Sequence, residues 1–136
     1  MIRDLILDIW KSLRSMPLWV QVWMFGVLVP ANIAAILFVG EPGGVLIAVL
    51  AISGLLPNGF FLIYDRGFSA KMAVSHLIFW IPLCVILWPM IQGGEDIAPT
   101  YRWFLRSLFA INVFSLVFDV RDAWQLLRRN RALRRP

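Results

Sequence analysis

Apolar stretches close to twenty residues long alternate with short polar connections through most of the chain, at residues 17–39, 45–64, 72–91 and 101–120. An α-helix needs about 20 residues to cross about 30 Å of hydrocarbon. Helices and closed barrels alone satisfy their own backbone there. The pattern therefore predicts an all-α membrane protein, a bundle of four transmembrane helices forming a single integral domain. Ahead of the first span, residues 1–15 place Ile2, Leu5, Ile6, Ile9, Trp10 and Leu13 at helical spacing, with Arg3, Asp4, Asp8, Lys11 and Arg14 between them. This predicts an amphipathic helix lying on the membrane surface. Its scattered charges are unlike a signal-peptide core, so it is expected to be retained. Beyond the last span, residues 121–136 continue helix four as a basic extension.

Punctuation within the spans refines the picture. Pro17 separates the surface helix from span one, and Pro30 is expected to bend that span by removing a backbone donor. Gly26, Pro30 and Ala34 form a small-residue stripe suited to close helix packing. Gln21 and Asn32, eleven residues apart at about 100° per residue, are expected to point the same way, toward protein. The connection Gly40-Glu41-Pro42-Gly43-Gly44 makes spans one and two a hairpin. In span two Ala51, Gly54 and Asn58 share a small, polar face beside Pro57. In span three Ser69, Ala73, His76 and Trp80 share another, with Pro82 central and Trp88-Pro89 at the far boundary.

Composition agrees: 60% of the residues are hydrophobic and the mean hydropathy is +0.77, above the roughly 45–50% apolar content of soluble domains. Lys and Arg set the orientation. Three lie in the N-terminal segment, two in the second loop and six after Val120, against Arg102 and Arg106 on the other side. Both termini are thus expected in the cytoplasm. The net charge of +5 sits beside spans, so membrane lipids, acidic ones included, are the expected counter-charge rather than nucleic acid. One cysteine, Cys84, permits no internal disulfide, and one histidine, His76, cannot supply two haem ligands. No metal-ligand spacing, glycine-rich nucleotide loop, nucleophile elbow or catalytic carboxylate pair is present in the sequence. The expectation is a protein without cofactor, metal or catalytic residues.

Three groups of residues stand out. Asn112, Ser115, Asp119 and Asp122 fall within an arc of about 80° on span four. Counting from the cytoplasmic boundary at 1.5 Å per residue puts Asn58, His76 and Ser115 at roughly the same depth of 9 Å. Asn58, His76, Asn112, Ser115 and Asp119 are accordingly a candidate intramembrane polar cluster. Such groups also serve simply as interhelical hydrogen bonds of about 1 kcal/mol each, and Asp119 also reads as a snorkelling carboxylate paired with Arg66 or Arg121. Arg102 and Arg106 are a candidate outer-side anion contact. The alternative for Arg106 is a tie to Glu95 or Asp96 in the third loop. Arg128, Arg129, Arg131, Arg134 and Arg135 are a candidate acidic-lipid contact, and equally a plain topology signal.

MPLWVQVWM at 16–24, VPAN at 29–32, YDRGFSAKMAVSH at 64–76 and FWIPL at 79–83 resemble a family of small bacterial inner-membrane proteins with four spans and no assigned activity. The resemblance implies a bacterial inner-membrane location and span count, and no functional residues. The features together lead to three readings. The first is a non-enzymatic accessory or assembly subunit of a larger membrane complex. The second is a homo-oligomeric transporter or channel with Pro30, Pro57 and Pro82 around a polar pathway, and the third is a lipid-binding or membrane-organising protein.

Overall fold

A computed structural model describes residues 1–67, 71–93 and 96–133. Their regular elements are all helical: an N-terminal helix Ile2–Ser15, then Leu18–Phe38 (span one), Gly44–Tyr64 (span two), Lys71–Ile91 (span three) and Pro99–Leu133 (span four). The last four are long and apolar enough to cross a membrane. Span four and the basic segment form one continuous helix of 35 residues, roughly 50 Å at 1.5 Å per residue. That exceeds the hydrocarbon thickness, so its C-terminal third projects beyond it.

Met16, which precedes Pro17, is extended at φ −79° and ψ 151°, as the proline ring requires of its predecessor. Pro30 acts differently from a simple bend. It removes the amide that would reach the Gly26 carbonyl, and the turn before it, Trp23–Leu28, winds as a π-helix, with the Val29 amide bonded to the Met24 carbonyl. Val29–Ala34 returns to α geometry, and Ala35–Phe38 tightens to a 3-10 turn. The wider turn rotates the span out of phase, by about 100° for one extra residue per turn. Gln21 and Asn32 therefore part company. Asn32 is fully buried, whereas half-buried Gln21 donates to the Met16 carbonyl at 2.8 Å. Gly26 and Pro30 face outward.

Span three lies between spans two and four and touches both along its length. The core is built there from Ala51, Trp80, Leu83, Leu87, Leu105 and Leu108. Gly54 allows spans two and three to approach closely: the Trp80 indole occupies the space a Cβ would need, 2.1 Å from its Nε1. That indole donates to the Ala51 carbonyl at 3.1 Å. At the end of the bundle away from the N-terminal helix, the Tyr101 hydroxyl donates to the Pro42 carbonyl at 2.9 Å, and Phe38 stacks on Tyr101 and Phe104.

The N-terminal helix docks on the connection after span two. Asp8 pairs with Arg66 at 2.9 Å, and Gly67 lies so close that an added Cβ would stand 2.8 Å from Ser12. Arg66 adopts the left-handed φ of 56° that ends a helix. Ile2, Ile6, Leu7 and Trp10 are exposed on the opposite side. Ser69 of the second loop, Glu95 of the third, and Arg134 and Arg135 lie outside the described residues.

Candidate functional site

His76 is the centre of a bonded chain that joins spans two, three and four. Asn58 Nδ2 donates to His76 Nε2 at 2.6 Å, which leaves the ring proton on Nδ1 to be donated to Asp119 Oδ2 at 3.0 Å. The Ser75 hydroxyl shares its proton between Asn58 Oδ1 at 3.0 Å and the Met72 carbonyl at 2.9 Å. Behind the imidazole, Trp80 stacks at 4.0 Å between centroids and 11° between planes. His76 and Asp119 are both buried. The small-residue notch at Gly54 thus seats Trp80, and Trp80 seats His76.

The five residues of the proposed polar cluster separate into two sets. Asn58, His76 and Asp119 come together, with Ser75 as a fourth member that sequence spacing did not single out. Asn112 turns instead to span one, where it and Asn32 exchange bonds at 2.9 and 3.1 Å, both fully buried. Ser115 also faces span one, accepting from the Trp23 indole at 3.0 Å. Asp119 pairs with His76, and neither Arg66, which holds Asp8, nor Arg121 is its partner. Side chains on a helix lean toward its N-terminus. In antiparallel spans three and four the lean brings His76 and Asp119 toward each other, a turn away from the level counted for Ser115.

Removing one member leaves buried polar groups unmatched. Asp119→Ala is expected to cost about 1–3 kcal/mol, because the Nδ1 proton then has no acceptor. Chemical denaturation in detergent, with Asp119→Asn as the polar control, measures it. A change below about 0.5 kcal/mol would remove the pair from the account of stability.

A groove of about 890 Å³ opens beside this chain of bonds, within the roughly 300–1,000 Å³ of ligand sites. Span one, with Met16 just ahead of it, supplies one wall as far as Ile36, including Met24, Phe25, Leu28 and Ile33. Span two supplies the other with Ile52, Leu55, Leu56 and Gly59. The wall along span one is about 30 Å long at 1.5 Å per residue. At one end the lining turns polar: His76, Asn58 and Asp119, then Asp122, Gln125 and Arg129 of the projecting part of span four. None of Pro30, Pro57 and Pro82 lines it.

The arginines expected as an outer-side anion contact, Arg102 and Arg106, are set differently. Arg106 reaches the Ile91 carbonyl through Nε and Nη2, each at 3.3 Å, and lies over the Trp103 ring at 5.5 Å. Arg102 is half-buried. Arg128, Arg129 and Arg131 are exposed on the last turns of span four, and of these Arg129 reaches the groove. The groove itself escaped the sequence reading. Met16, Val20, Met24 and Leu28 recur every four residues, and by spacing that stripe reads as ordinary core; in the structure all four line the groove, Leu28 buried and the others half-buried.

No family model, curated protein or solved structure matches the chain. Fold and site define a class: an all-helical protein with four apolar helices able to span a membrane, carrying a lateral groove that is apolar along its length and polar at one end.

Proposed function

We propose that this chain is a non-enzymatic, multi-pass protein of a bacterial inner membrane, with both termini in the cytoplasm, that holds a lipid molecule in its lateral groove and so organises the surrounding bilayer. The observation that carries this reading is the form of the groove, an apolar wall as long as a bilayer-spanning helix ending in hydrogen-bonding and charged side chains. An amphiphile has the same division between chain and headgroup. The distribution of Lys and Arg supports the orientation, because it puts the polar end at the cytoplasmic interface. The exposed apolar face of the N-terminal helix supports its lying on that same interface.

The test is lipid retention. Native mass spectrometry of the chain extracted in mild detergent is expected to show bound phospholipid, and Gly59→Leu, which fills the groove from span two, is expected to reduce occupancy about tenfold, equivalent to 1.4 kcal/mol. Gly59 has open space around it, with no atom within 4 Å of an added Cβ, so the substitution does not disturb the fold. Unchanged occupancy would end this reading.

A second reading, an accessory subunit of a larger membrane complex, is favoured by the outward direction of Gly26 and Pro30, which leaves part of a close-packing stripe unused inside the bundle. A stoichiometric partner retained in mild detergent and lost in Gly26→Leu would support it, and purification of the chain without one would count against it.

A further inference from the structure

The polar end of the groove has a charge order of its own. Asp122, Gln125 and Arg129 stand at i, i+3 and i+7 on span four, so they share one face, and all three line the groove. Their backbones rise about 10 Å from first to last. Unlike His76, Asn58 and Asp119, which satisfy one another, these three make no hydrogen bond or ion pair with another described residue. A carboxylate, an amide and a guanidinium therefore face the opening in series, with the carboxylate next to the apolar wall. An anion alone would meet Asp122 and Asp119, and a cation alone would meet Arg129.

We infer that the groove selects a zwitterionic phospholipid with a primary ammonium headgroup, its phosphate held by Arg129 and Gln125 and its ammonium by Asp122. This rests on the lipid-holding reading above. Helical side chains lean toward the N-terminus, which for span four means toward the bilayer. The long Arg129 stem thereby carries its guanidinium back to about the level of Gln125, where a phosphate sits just outside the hydrocarbon. Asp122 lies one turn deeper, so the short arm of the headgroup folds back from the phosphate toward the hydrocarbon to bring its ammonium to the carboxylate. A primary ammonium offers three N–H donors to the carboxylate, and a trimethylated ammonium offers none. The inference parts from the simplest expectation for an arginine-rich tail, an acidic lipid, because the acidic side chains stand between that tail and the apolar wall.

The experiment uses the full chain reconstituted into vesicles of equal parts phosphatidylethanolamine, phosphatidylcholine and phosphatidylglycerol with identical acyl chains, then extracted in mild detergent for native mass spectrometry. Ethanolamine lipid is expected to be retained over each of the others by about tenfold. Asp122→Asn is expected to abolish that preference while lipid is still retained, and Arg129→Gln to lower retention of all three lipids. Both positions are exposed, so neither substitution threatens the fold. Equal retention of the choline lipid, preference for the glycerol lipid, or a preference that survives Asp122→Asn would overturn the headgroup assignment and leave the groove reading standing. Absence of any retained lipid in the unsubstituted chain would overturn both.

Discussion

Gly54→Ala is expected to destabilise the bundle by about 2–5 kcal/mol, because its new methyl group would enter the space that the Trp80 indole fills. The new Cβ would lie 2.1 Å from Trp80 Nε1, 2.6 Å from Cε2 and 2.7 Å from Cδ1. A flexible side chain end could swing away, but Trp80 is a rigid ring with no exposed surface. It is fixed by its bond to the Ala51 carbonyl and by the imidazole stacked against it. Either spans two and three separate, or the indole turns and leaves its N–H buried without an acceptor. Overpacking costs about 1–3 kcal/mol and an orphaned buried donor about as much again. The damage should also travel: once Trp80 moves, His76 loses its stacking partner, and the bonds to Asn58 and Asp119 lose their alignment. Gly59→Ala is the control, since nothing lies within 4 Å of its new methyl group and helix propensity alone favours it by up to about 1 kcal/mol. Reversible unfolding in mixed micelles compares the two. Equal stability of the variants would refute the packing argument.

The second large effect is expected at the Asn32–Asn112 pair, where each amide donates to the other and neither has any exposed surface. Asn112→Leu leaves Asn32 Oδ1 and one of its N–H groups without a partner in an apolar interior, the other N–H staying on the Leu28 carbonyl at 2.9 Å, and is expected to cost about 1–3 kcal/mol. Asn32→Leu takes from Asn112 both of its side-chain bonds. The double substitution removes the donors and acceptors together, so it should be much less harmful than the sum of the single ones. A coupling of about 0.6–2 kcal/mol is in the range known for polar pairs between membrane helices. The same unfolding measurement on the four chains of the cycle gives the coupling directly. Additive losses would mean that the two amides stabilise the bundle independently.

These two sites show how far linear reading reaches. That Gly54 belongs to a close-packing face and that Asn32 and Asn112 face protein both follow from periodicity in a medium that does not solvate polar groups. The partner of each residue does not follow. Span four presents Asn112, Ser115 and Asp119 along one stripe, and nothing in their spacing assigns the first two to span one and the third to span three. The π turn makes that assignment by rotating Trp23 and Asn32 onto span four. Counting depth from loop ends treats side chains as lying level with their own Cα atoms. The opposed lean of side chains in antiparallel helices is enough to bring Asp119, rather than Ser115, to His76.

The sequence by itself determined that the chain is helical and how many of its helices are long and apolar enough to cross a bilayer. Those properties are set by the thickness of hydrocarbon and by the demand that each helix satisfy its own backbone, and both act on segments one at a time. Tertiary structure alone decided the His76–Asp119 pair, the Asn32–Asn112 exchange and the groove between spans one and two. Each depends on the relative rotation and stagger of separate helices. A single missing amide at Pro30 changes that rotation, and no count along one strand of sequence contains it.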